Sequence, residues 1–274
     1  MSIINTNMSS LNAQRNLNKS AGELSNSMTR LSSGLRVNSA KDDAAGLSIA
    51  TKMDSQIRGM SQASRNANDG ISMIQTADGA LSNISDALQR MRELAVQAAN
   101  GTNGKDETDN IATEMTALND EIVRIAKETK FNGKPLLVPT KATEVNIQVG
   151  ADKGQSIKVT FVDSDGYAKL DASVLDVSDS TKAGAAIETL DTALKNLNTE
   201  RASLGTAQNR MGYAISNLAT SVENQSAAKS RIMDTDYAAE TSKLSRAQVL
   251  QQAGTAMLAQ ANSAPNNVMS LLRG

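Results

Sequence analysis

The residues that could carry chemistry are few in this 274-residue chain, because it contains neither histidine nor cysteine. Their absence removes the commonest general base and metal ligand, together with disulfides, thiolate metal sites and thiol nucleophiles. What remains are carboxylate pairs such as Asp42 with Asp43 and Asp234 with Asp236, and one Ser-x-x-Lys spacing in SAAK at residues 226–229. The pairs lack the oxygen-rich spacing of a calcium loop, and SAAK lacks the SDN and KTG motifs of the Ser-x-x-Lys enzymes. The sequence therefore predicts solvated helix starts, no metal or cofactor, and no enzymatic activity.

The stretch LSSGLRVNSAKDDAAGLSIA at residues 31–50 is a candidate phosphate-binding loop, since it places glycines between two helical patterns. It contains neither GxxxxGK(S/T) nor a dinucleotide fingerprint after a strand. Its residues suit a connection better: Gly34 can end one helix, and either Ser39 or Asp42 can cap the next. Asp42 and Asp43 are also favourable near the positive end of that helix. We therefore predict a structural joint rather than a nucleotide site.

The charge balance excludes other classes of function. With 28 basic and 29 acidic residues the net charge is -1, so the chain lacks the basic field on which nucleic-acid affinity depends. Nowhere do about 18 apolar residues follow one another, and the N-terminus has no basic start before an apolar run. We expect no nucleic-acid partner, no membrane span and no cleavable signal. Composition alone would indicate a cytosolic protein, although it would miss an export route that reads an uncleaved N-terminus.

The elements that must position these residues are long helices. The only prolines are Pro135, Pro139 and Pro265, which leaves two arms, 1–134 and 140–264, free of the strongest helix breaker. In the second arm a four-three spacing of apolar residues predicts a coiled-coil seam, in which Arg201 and Gln208 occupy two positions. The apolar members of this seam are Leu190, Leu194, Leu197, Leu204, Met211, Ile215, Leu218 and Val222.

The first arm carries two comparable stripes. One comprises Ala67, Ile71, Ile74, Ala77, Leu81, Ile84, Leu88, Met91, Ala95 and Ala98, and the other comprises Ile111, Met115, Leu118, Ile122 and Ile125. A helix over about residues 42–99 would be roughly 85 Å long, so three helices sharing one core predict a rod. Low aromatic content, 2%, also suits helix seams better than a thick globular core.

The middle of the chain alternates apolar and polar residues. EVNIQVG at 144–150 and QSIKVTFV at 155–162 flank ADKG and predict a β-hairpin, and FNGKPLLVP before them predicts a turn followed by a strand. We expect a loop at 163–180, with one further short strand around 172–175.

Each end of the chain has a single apolar stripe. The stripes comprise Leu17, Ala21, Leu24, Met28, Leu31 and Leu35 at the N-terminal end, and Tyr237, Leu244, Ala247, Leu250, Met257 and Ala261 at the C-terminal end. A narrow stripe has too few partners in an isolated molecule to offset the entropy of ordering its helix. We therefore infer that the ends order on meeting other chains, against which these side chains, together with Leu271 and Leu272, are buried. The small residues Ala253, Gly254 and Ala256 would permit close helix approach.

An ordered series of motifs runs through nearly all of both arms. It comprises NTNMSSLNAQRNLNKS, LSSGLRVNSAKDDAAGLSIA, NDGISMIQTADGAL, LQRMRELAVQAAN, FNGKPLL, RASLGTAQNRM, ENQSAAKSRIMDTDYAAE and APNNVMSLLRG. In these motifs the chain resembles bacterial flagellin, the subunit of the flagellar filament. Only about forty residues separate Lys141 from Ser180, so it resembles a short form without large outer domains. There is neither room nor a histidine for the metallopeptidase that some flagellins insert there.

The resemblance implies a mainly α fold, an elongated helical coiled-coil rod from both arms with a small β-hairpin region and the terminal helices paired as an inner domain. It divides the chain into an N-terminal inner part at 1–42, rod segments at 43–140 and 181–231, the β-hairpin region at 141–180 and a C-terminal inner part at 232–274. Residues 31–50 then join the inner domain to the rod. The implied function is a self-assembling, secreted filament subunit for motility.

The resemblance also implies partners. Beyond other copies of the chain, these are the flagellar cap, the hook-associated proteins and an export chaperone at the C-terminal helices, with unfolded export through the flagellar type III secretion system. Val268, Leu271 and Leu272 resemble the apolar tail read by cytosolic flagellin sensors, although Gly274 departs from the usual arginine ending.

The segment LQRMRELAVQAAN at 88–100 leaves a helical face outside the seam, and periodicity alone does not distinguish a solvated face from an interface. The resemblance implies that this face binds Toll-like receptor five. The matching positions are Gln89, Arg90, Leu94, Gln97 and Glu114.

Two alternatives stay open at the level of sequence. A hook–filament junction protein shares terminal helices of this kind, and the closely matched arms make it less favoured. A secreted enzyme or a non-polymerising adhesin with coiled-coil ends is the alternative from another class. The enzyme would need an activity that no histidine-free constellation here suggests, and the adhesin would bind a host ligand without forming filaments.

Overall fold

The computed structural model describes residues 6–137, 143–161, 167, 170 and 176–273, with side chains described as far as residue 263. Within these residues the helices are α1 (Met8–Ser33), α2 (Ala44–Ala98), α3 (Lys105–Glu128), α4 (Ser180–Met233) and α5 (Tyr237–Arg273). The strands are β1 (Lys130–Phe131), β2 (Lys134–Pro135), β3 (Thr143–Gln148) and β4 (Ser156–Phe161). The predicted mainly α fold, with its paired terminal helices and central hairpin, is confirmed.

The chain divides into two compact units. The terminal unit comprises Met1–Ser55 and Asn224–Gly274, and the central unit comprises Gln56–Glu223. Because the divisions fall within α2 and α4, both long helices contribute residues to each unit. The domain boundaries at 42 and 231 stay predictions.

The core of the central unit follows the predicted seams. Leu81, Ile84, Leu88 and Met91 of α2 and Leu190 of α4 are fully buried in one apolar cluster, which Ile122 of α3 also joins. Burial of each such side chain contributes roughly 1.5–3 kcal/mol, so this cluster is the main source of stability in the unit. Arg201 is accommodated in the α4 seam because its Nε donates to Asp78 Oδ1 at 2.8 Å.

The β3–β4 hairpin lies within the central unit where the sequence predicts it. The strands are antiparallel with Val145 opposite Val159, and β4 alternates outward polar residues with the buried Ile157, Val159 and Phe161. The hairpin turn approaches α2 so closely that a Cβ on Gly59 would lie 2.9 Å from the Ala151 Cβ. The short strand predicted around 172–175 lies outside the described residues.

The turn predicted in FNGKPLL forms the two-residue loop of a second, small hairpin, β1–β2. Asn132 has φ 49° and Gly133 has φ 77°, both in the left-handed region. Asn and Gly are the residues that adopt this conformation at the lowest cost, which is why Asn-Gly is a strong hairpin signal.

The joint at residues 31–50 forms within the terminal unit. Gly34 ends α1 with φ 72°, and its N–H donates to the Arg30 carbonyl at 2.9 Å. Asp43 caps α2 by accepting from the Gly46 N–H at 2.8 Å, so the predicted cap at Ser39 or Asp42 is wrong by one residue or more. Asp42 instead closes the preceding turn by accepting from the Ser39 hydroxyl at 3.0 Å, and the hydrogen bonds from Ser39 lower the pKa of its carboxyl.

Candidate assembly surface and receptor patch

Helices α1 and α5 pair through an unusual seam in the terminal unit. The half-buried or buried positions of α1 that follow a three-four spacing are Ser10, Ala13, Leu17, Ser20, Leu24, Ser27 and Leu31. Those of α5 are Glu240, Leu244, Ala247, Gln251, Gly254, Leu258 and Ala261. Both sets follow the coiled-coil period, yet nine of their fourteen members are small or polar. The two helices therefore pack closely through small and polar side chains together with leucines, while Met28 and Met257 stay outside the seam.

Polar contacts fix the register of this seam. The Ser27 hydroxyl donates to Glu240 Oε1 at 2.7 Å, and both side chains are buried. At the far end Asn7 Nδ2 donates to the Ala261 carbonyl at 2.7 Å, and the Ser10 hydroxyl donates to Asn262 Oδ1 at 2.6 Å. Gly254 lies against α1 of the same chain, since a Cβ there would be 3.1 Å from Leu17 Cδ1. The close approach predicted for this glycine between chains stays a prediction.

Glu240 is the ionisable group of this seam, and Lys243 donates to its Oε2 at 3.0 Å. Burial raises the pKa of the Glu240 carboxyl, but hydrogen bonds from Ser27 and Lys243, with the nearby Arg30 charge, outweigh it and hold the pKa below its usual value. The carboxylate is therefore charged and fully engaged at neutral pH.

The large apolar side chains of the terminal unit lie on its outside. Of ten large apolar residues that are exposed among the described residues, eight belong to this unit, namely Met8, Leu11, Met28, Ile49, Tyr237, Val249, Leu250 and Met257. Met257 is 65% exposed and Val249 63%. Apolar side chains concentrated on one part of a surface mark an interaction site. We name these eight residues the outer apolar set.

The predicted polymerisation residues divide between the seam and the outer apolar set. Leu17, Leu24, Leu31, Leu35 and Leu244 are half-buried, whereas Met28, Leu250 and Met257 are exposed. The side chains of Leu271 and Leu272 lie outside the described residues. The predicted stripes missed the buried serines of α1, whose three-four spacing with the leucines was the available signal, and they also missed Met8, Leu11 and Val249.

A groove of about 570 Å³ runs between α1 and α5 beside the seam. Its α5 wall is formed by Leu250, Ala253 and Met257, and its α1 wall by polar residues that include Asn12 and Asn16. The groove exists because Ala253 and the neighbouring Gly254 leave space between larger side chains. It adds a concave surface to the outer apolar set.

The paired carboxylates and SAAK have structural partners rather than a catalytic arrangement. Asp236 caps α5 by accepting from the Ala238 N–H at 2.9 Å, and Asp234 accepts from the Ser230 hydroxyl at 2.6 Å. Lys229 Nζ donates to Asp54 Oδ1 at 2.5 Å. Across the described ranges no group of three acidic, histidine or cysteine side chains could hold a metal, and no helix is long and apolar enough to cross a membrane.

Four of the five predicted receptor residues lie on the surface of the central unit. Gln89, Arg90, Gln97 and Glu114 are exposed. Arg90 donates from Nη2 and Nε to Glu114 Oε1 at 3.0 and 3.2 Å, and from Nη1 to Glu93 at 3.2 Å. The hydrogen bonds from Glu114 and Glu93 raise the pKa of the guanidinium. The Arg90–Glu114 pair links α2 to α3 and holds the planar guanidinium of Arg90 in a defined orientation.

Leu94 departs from the prediction. Its side chain is only 2% exposed and belongs to the central apolar cluster, together with Ile111 and Met115 of α3. The expectation that Leu94 lies on an open face beside Arg90 is therefore wrong for the single chain. The α2 seam alone did not reveal this, because α3 widens the buried face of α2 beyond one stripe.

Family models match both arms of the chain. Residues 4–142 match the model of the bacterial flagellin N-terminal helical region, and residues 187–272 match that of the C-terminal helical region. A flagellin of Halalkalibacterium halodurans is 47% identical over 99% of this chain and 100% of its own length. A flagellin of Xenorhabdus nematophila is 45% identical over 99% of both chains.

A filament protein and a solved structure agree with these matches. The flagellar filament 33 kDa core protein of Treponema phagedenis is 43% identical over 99% of this chain and 100% of its own length. The crystal structure of Bacillus cereus flagellin is 36% identical with a TM-score of 0.51, covering 60% of this chain and 94% of that one. With its helical termini, its central hairpin and these full-length relatives, the chain belongs to the bacterial flagellin family and is a structural subunit of the extracellular flagellar filament rather than an enzyme.

Proposed function

We propose that the terminal unit drives growth of the motility filament by burying the outer apolar set between copies of the chain. The observation that carries this proposal is the arrangement of α1 and α5, in which Ser20, Ser27 and Glu240 are buried beside half-buried leucines. The exposed side chains of the same helices include Met28, Val249, Leu250 and Met257. A helix pair that had to be stable alone would gain more by the opposite arrangement.

The free energy gained by covering one side chain indicates that several side chains must be covered together. Each half-exposed side chain of the outer apolar set gains about 1 kcal/mol on being covered. Association costs roughly 4–15 kcal/mol, so one residue cannot drive assembly and several must be covered together. We expect polymerisation to depend steeply on the number of these side chains.

A triple variant tests the proposal. Val249→Ser, Leu250→Ser and Met257→Ser change exposed residues of α5 that lie off the seam, so the monomer should keep its helicity. We expect wild-type protein to form tubes by electron microscopy after addition of a polymerising salt and filament seeds, and the variant to stay monomeric. A matched control, Val96→Ser with Tyr213→Ser, removes the two large apolar side chains that are exposed among the described residues of the central unit. Tubes formed by the triple variant at the wild-type rate would contradict the proposal.

We also propose that Gln89, Arg90, Gln97 and Glu114 form a patch that binds Toll-like receptor five. Their exposure and the ion pair that orients Arg90 support it. Arginine presented at the centre of a contact is a common source of binding energy. In this proposal Leu94 supports the patch from below rather than contacting the receptor, because it is buried in the chain.

The receptor proposal has a matched control. Arg90→Ala with Glu114→Ala removes both members of an exposed pair and should weaken binding to the receptor ectodomain by at least tenfold, as expected for hot-spot residues worth about 2 kcal/mol or more. Arg92→Ala with Asp191→Ala removes another exposed pair, in which Arg92 of α2 contacts Asp191 of α4 with an Nε–Oδ1 distance of 2.6 Å. Equal affinities of the two double variants in surface plasmon resonance would contradict the proposal.

The remaining expected partners are proposals of the same kind. We propose unfolded export through the flagellar type III system, a chaperone on α5 before export, and contacts of the terminal unit with the cap and the hook-associated proteins. The exposure of Val249, Leu250 and Met257 supports a chaperone, since these side chains need cover before assembly. Their serine variant should lose co-purification with the chaperone. Reading of Val268, Leu271 and Leu272 by cytosolic sensors also stays a proposal.

A further inference from the structure

Three asparagines, Asn100, Asn103 and Asn132, each precede a glycine in this sequence. In such a pair the backbone nitrogen of glycine can attack the preceding side-chain amide, because glycine has no Cβ in the way and leaves the backbone free to turn. Asparagine is for this reason counted among thermolabile residues. The structure restrains the three pairs to different degrees, and the difference singles out one of them.

Asn132 is held by the β1–β2 hairpin. It and Gly133 both have positive φ, and the turn is closed by the pairing of Phe131 with Lys134. A further hydrogen bond joins the Leu136 N–H to the Thr129 carbonyl at 3.1 Å. Cyclisation would draw the Asn132 side chain onto the next backbone nitrogen, and the turn would have to open first.

Asn103 is held by its own side chain. It is half-buried, and its Nδ2 donates to the Gln97 carbonyl at 2.6 Å. The following Gly104 begins α3, since its carbonyl accepts from the Thr108 N–H at 3.2 Å. Attack at this amide would require loss of the Gln97 bond and movement of a helix start.

Asn100 lacks comparable restraints. It is exposed, two residues beyond the end of α2, and no hydrogen bond within the described part of the chain involves its side chain or the Gly101 N–H. Only its backbone is engaged, with its N–H donating to the Gln97 carbonyl at 3.2 Å and its carbonyl accepting from the Asn103 N–H at 3.1 Å. A Cβ on Gly101 would meet no atom within 4 Å, so the space around the reacting atoms is open.

We propose that Asn100 is a site of spontaneous deamidation, faster than Asn103 and Asn132 in the folded chain. The Gly101 nitrogen bonds to the Asn100 Cγ, the bond from Cγ to Nδ2 breaks, and ammonia leaves with the proton that the Gly101 nitrogen gives up. Solvent water then opens the resulting five-membered imide at either carbonyl, which yields aspartate or isoaspartate. No oxidant or reductant is needed.

The product changes the end of α2. A carboxylate two residues beyond the helix lies at the negative end of the helix dipole, where negative charge is unfavourable. Isoaspartate also adds a carbon atom to the backbone between Asn100 and Gly101. Both products therefore weaken the turn in which Gln97 accepts from Asn100 and Asn103.

The test is incubation of the folded full-length protein at mildly alkaline pH, followed by digestion and mass spectrometry of the peptides that contain the three sites. We expect Asn100 to convert about tenfold faster than Asn103, the factor that one ordinary hydrogen bond is worth. Isoaspartate-specific enzymatic methylation should label the same peptide. Conversion of Asn100 no faster than that of the other two would overturn the proposal.

Two comparisons distinguish the effect of the folded structure on deamidation from the effect of the Asn-Gly sequence itself. Gly101→Ala adds a Cβ where there is room, so the fold is kept while cyclisation slows, and the Asn100 product alone should fall. In denaturant, where the restraints are gone, the three sites should react at similar rates. A Gly101→Ala variant that still converts at the wild-type rate, or a spread of rates that persists in denaturant, would refute the role of the folded chain.

Discussion

The terminal and central units use long helices with the same coiled-coil spacing in opposite ways. The central unit buries leucine, isoleucine and methionine in one cluster and leaves only Val96 and Tyr213 as exposed large apolar side chains among its described residues. The terminal unit buries Ser20, Ser27 and Glu240 and exposes eight large apolar residues. The central unit thus has a large apolar core of its own, whereas the terminal unit leaves exposed apolar side chains that we propose other copies cover.

The largest expected effect comes from removing half of the terminal unit. Deletion of residues 236–274 removes α5, and with it the partner of α1 and four members of the outer apolar set. We expect a soluble protein whose central unit stays helical by circular dichroism but which forms no filaments under seeded conditions. Filament growth by the truncated chain would contradict the assembly role that we propose for the terminal unit.

The next largest effect should come from truncating core side chains, and it should differ between the two units. Leu81→Ala and Leu190→Ala each create a cavity in the central cluster and should lower the free energy of unfolding by about 2–5 kcal/mol. Met257→Ala changes a side chain that is 65% exposed and should leave unfolding of the monomer nearly unchanged while slowing polymerisation. Chemical denaturation of monomers and light scattering of assembling protein measure the two effects. Equal destabilisation by Leu81→Ala and Met257→Ala would contradict the comparison.

The buried polar pair of the α1–α5 seam should have a smaller effect. Ser27→Ala leaves Glu240 without one buried hydrogen bond and should destabilise the pairing by about 1–3 kcal/mol. Thermal unfolding followed by circular dichroism would show the loss, and Ser25→Ala, an exposed neighbour on α1, is the control.

The same pair predicts a pH dependence. Because the folded-state pKa of Glu240 is lowered, its contribution is present above the ordinary carboxyl value of 4.5 and is lost as pH falls through the lower folded-state pKa. A Glu240→Gln variant should therefore lose less stability than the wild type on acidification below that value. An identical pH profile for the two proteins would exclude Glu240 as the titrating group.

The smallest effect concerns the joint. Asp43→Ala removes the side-chain cap of α2 and should cost about 1 kcal/mol. Asp42→Ala opens the preceding turn but leaves the cap in place. Hydrogen exchange of the first turn of α2 should therefore speed up in the Asp43 variant and stay close to wild type in the Asp42 variant. The reverse order would restore Asp42 as the cap.

Much of the central unit could be predicted from spacing. The seams of α2, α3 and α4 and the β3–β4 hairpin follow directly from apolar periodicity, because in each case one face is far more apolar than the other. Leu94 escaped prediction because its burial depends on where α3 packs, which no local pattern of α2 contains. The sequence did not identify Asp43 as the cap, because several adjacent polar residues can each cap a helix. The backbone conformation at the start of the helix decides which of them does so.

The sequence did not predict which face of each terminal helix lies inside. On α1 the stripe containing Met28 and the seam containing Ser27 differ by one residue, and hydrophobicity alone favours Met28 for the inside. The close approach of α5, which Gly254 permits and the Ser27–Glu240 bond stabilises, turns the helix the other way. Met28 is therefore 58% exposed.

By itself the sequence determined the helical fold, the central hairpin, the family and the absence of histidine and cysteine chemistry, since these depend on composition, period and ordered motifs. Only the tertiary structure decided which side chains of the terminal helices face each other and which face outward. The physical reason is that a helix with two comparable faces has no inside until a partner helix packs against one of them. The outer apolar set, and the assembly surface proposed from it, exist only after that choice.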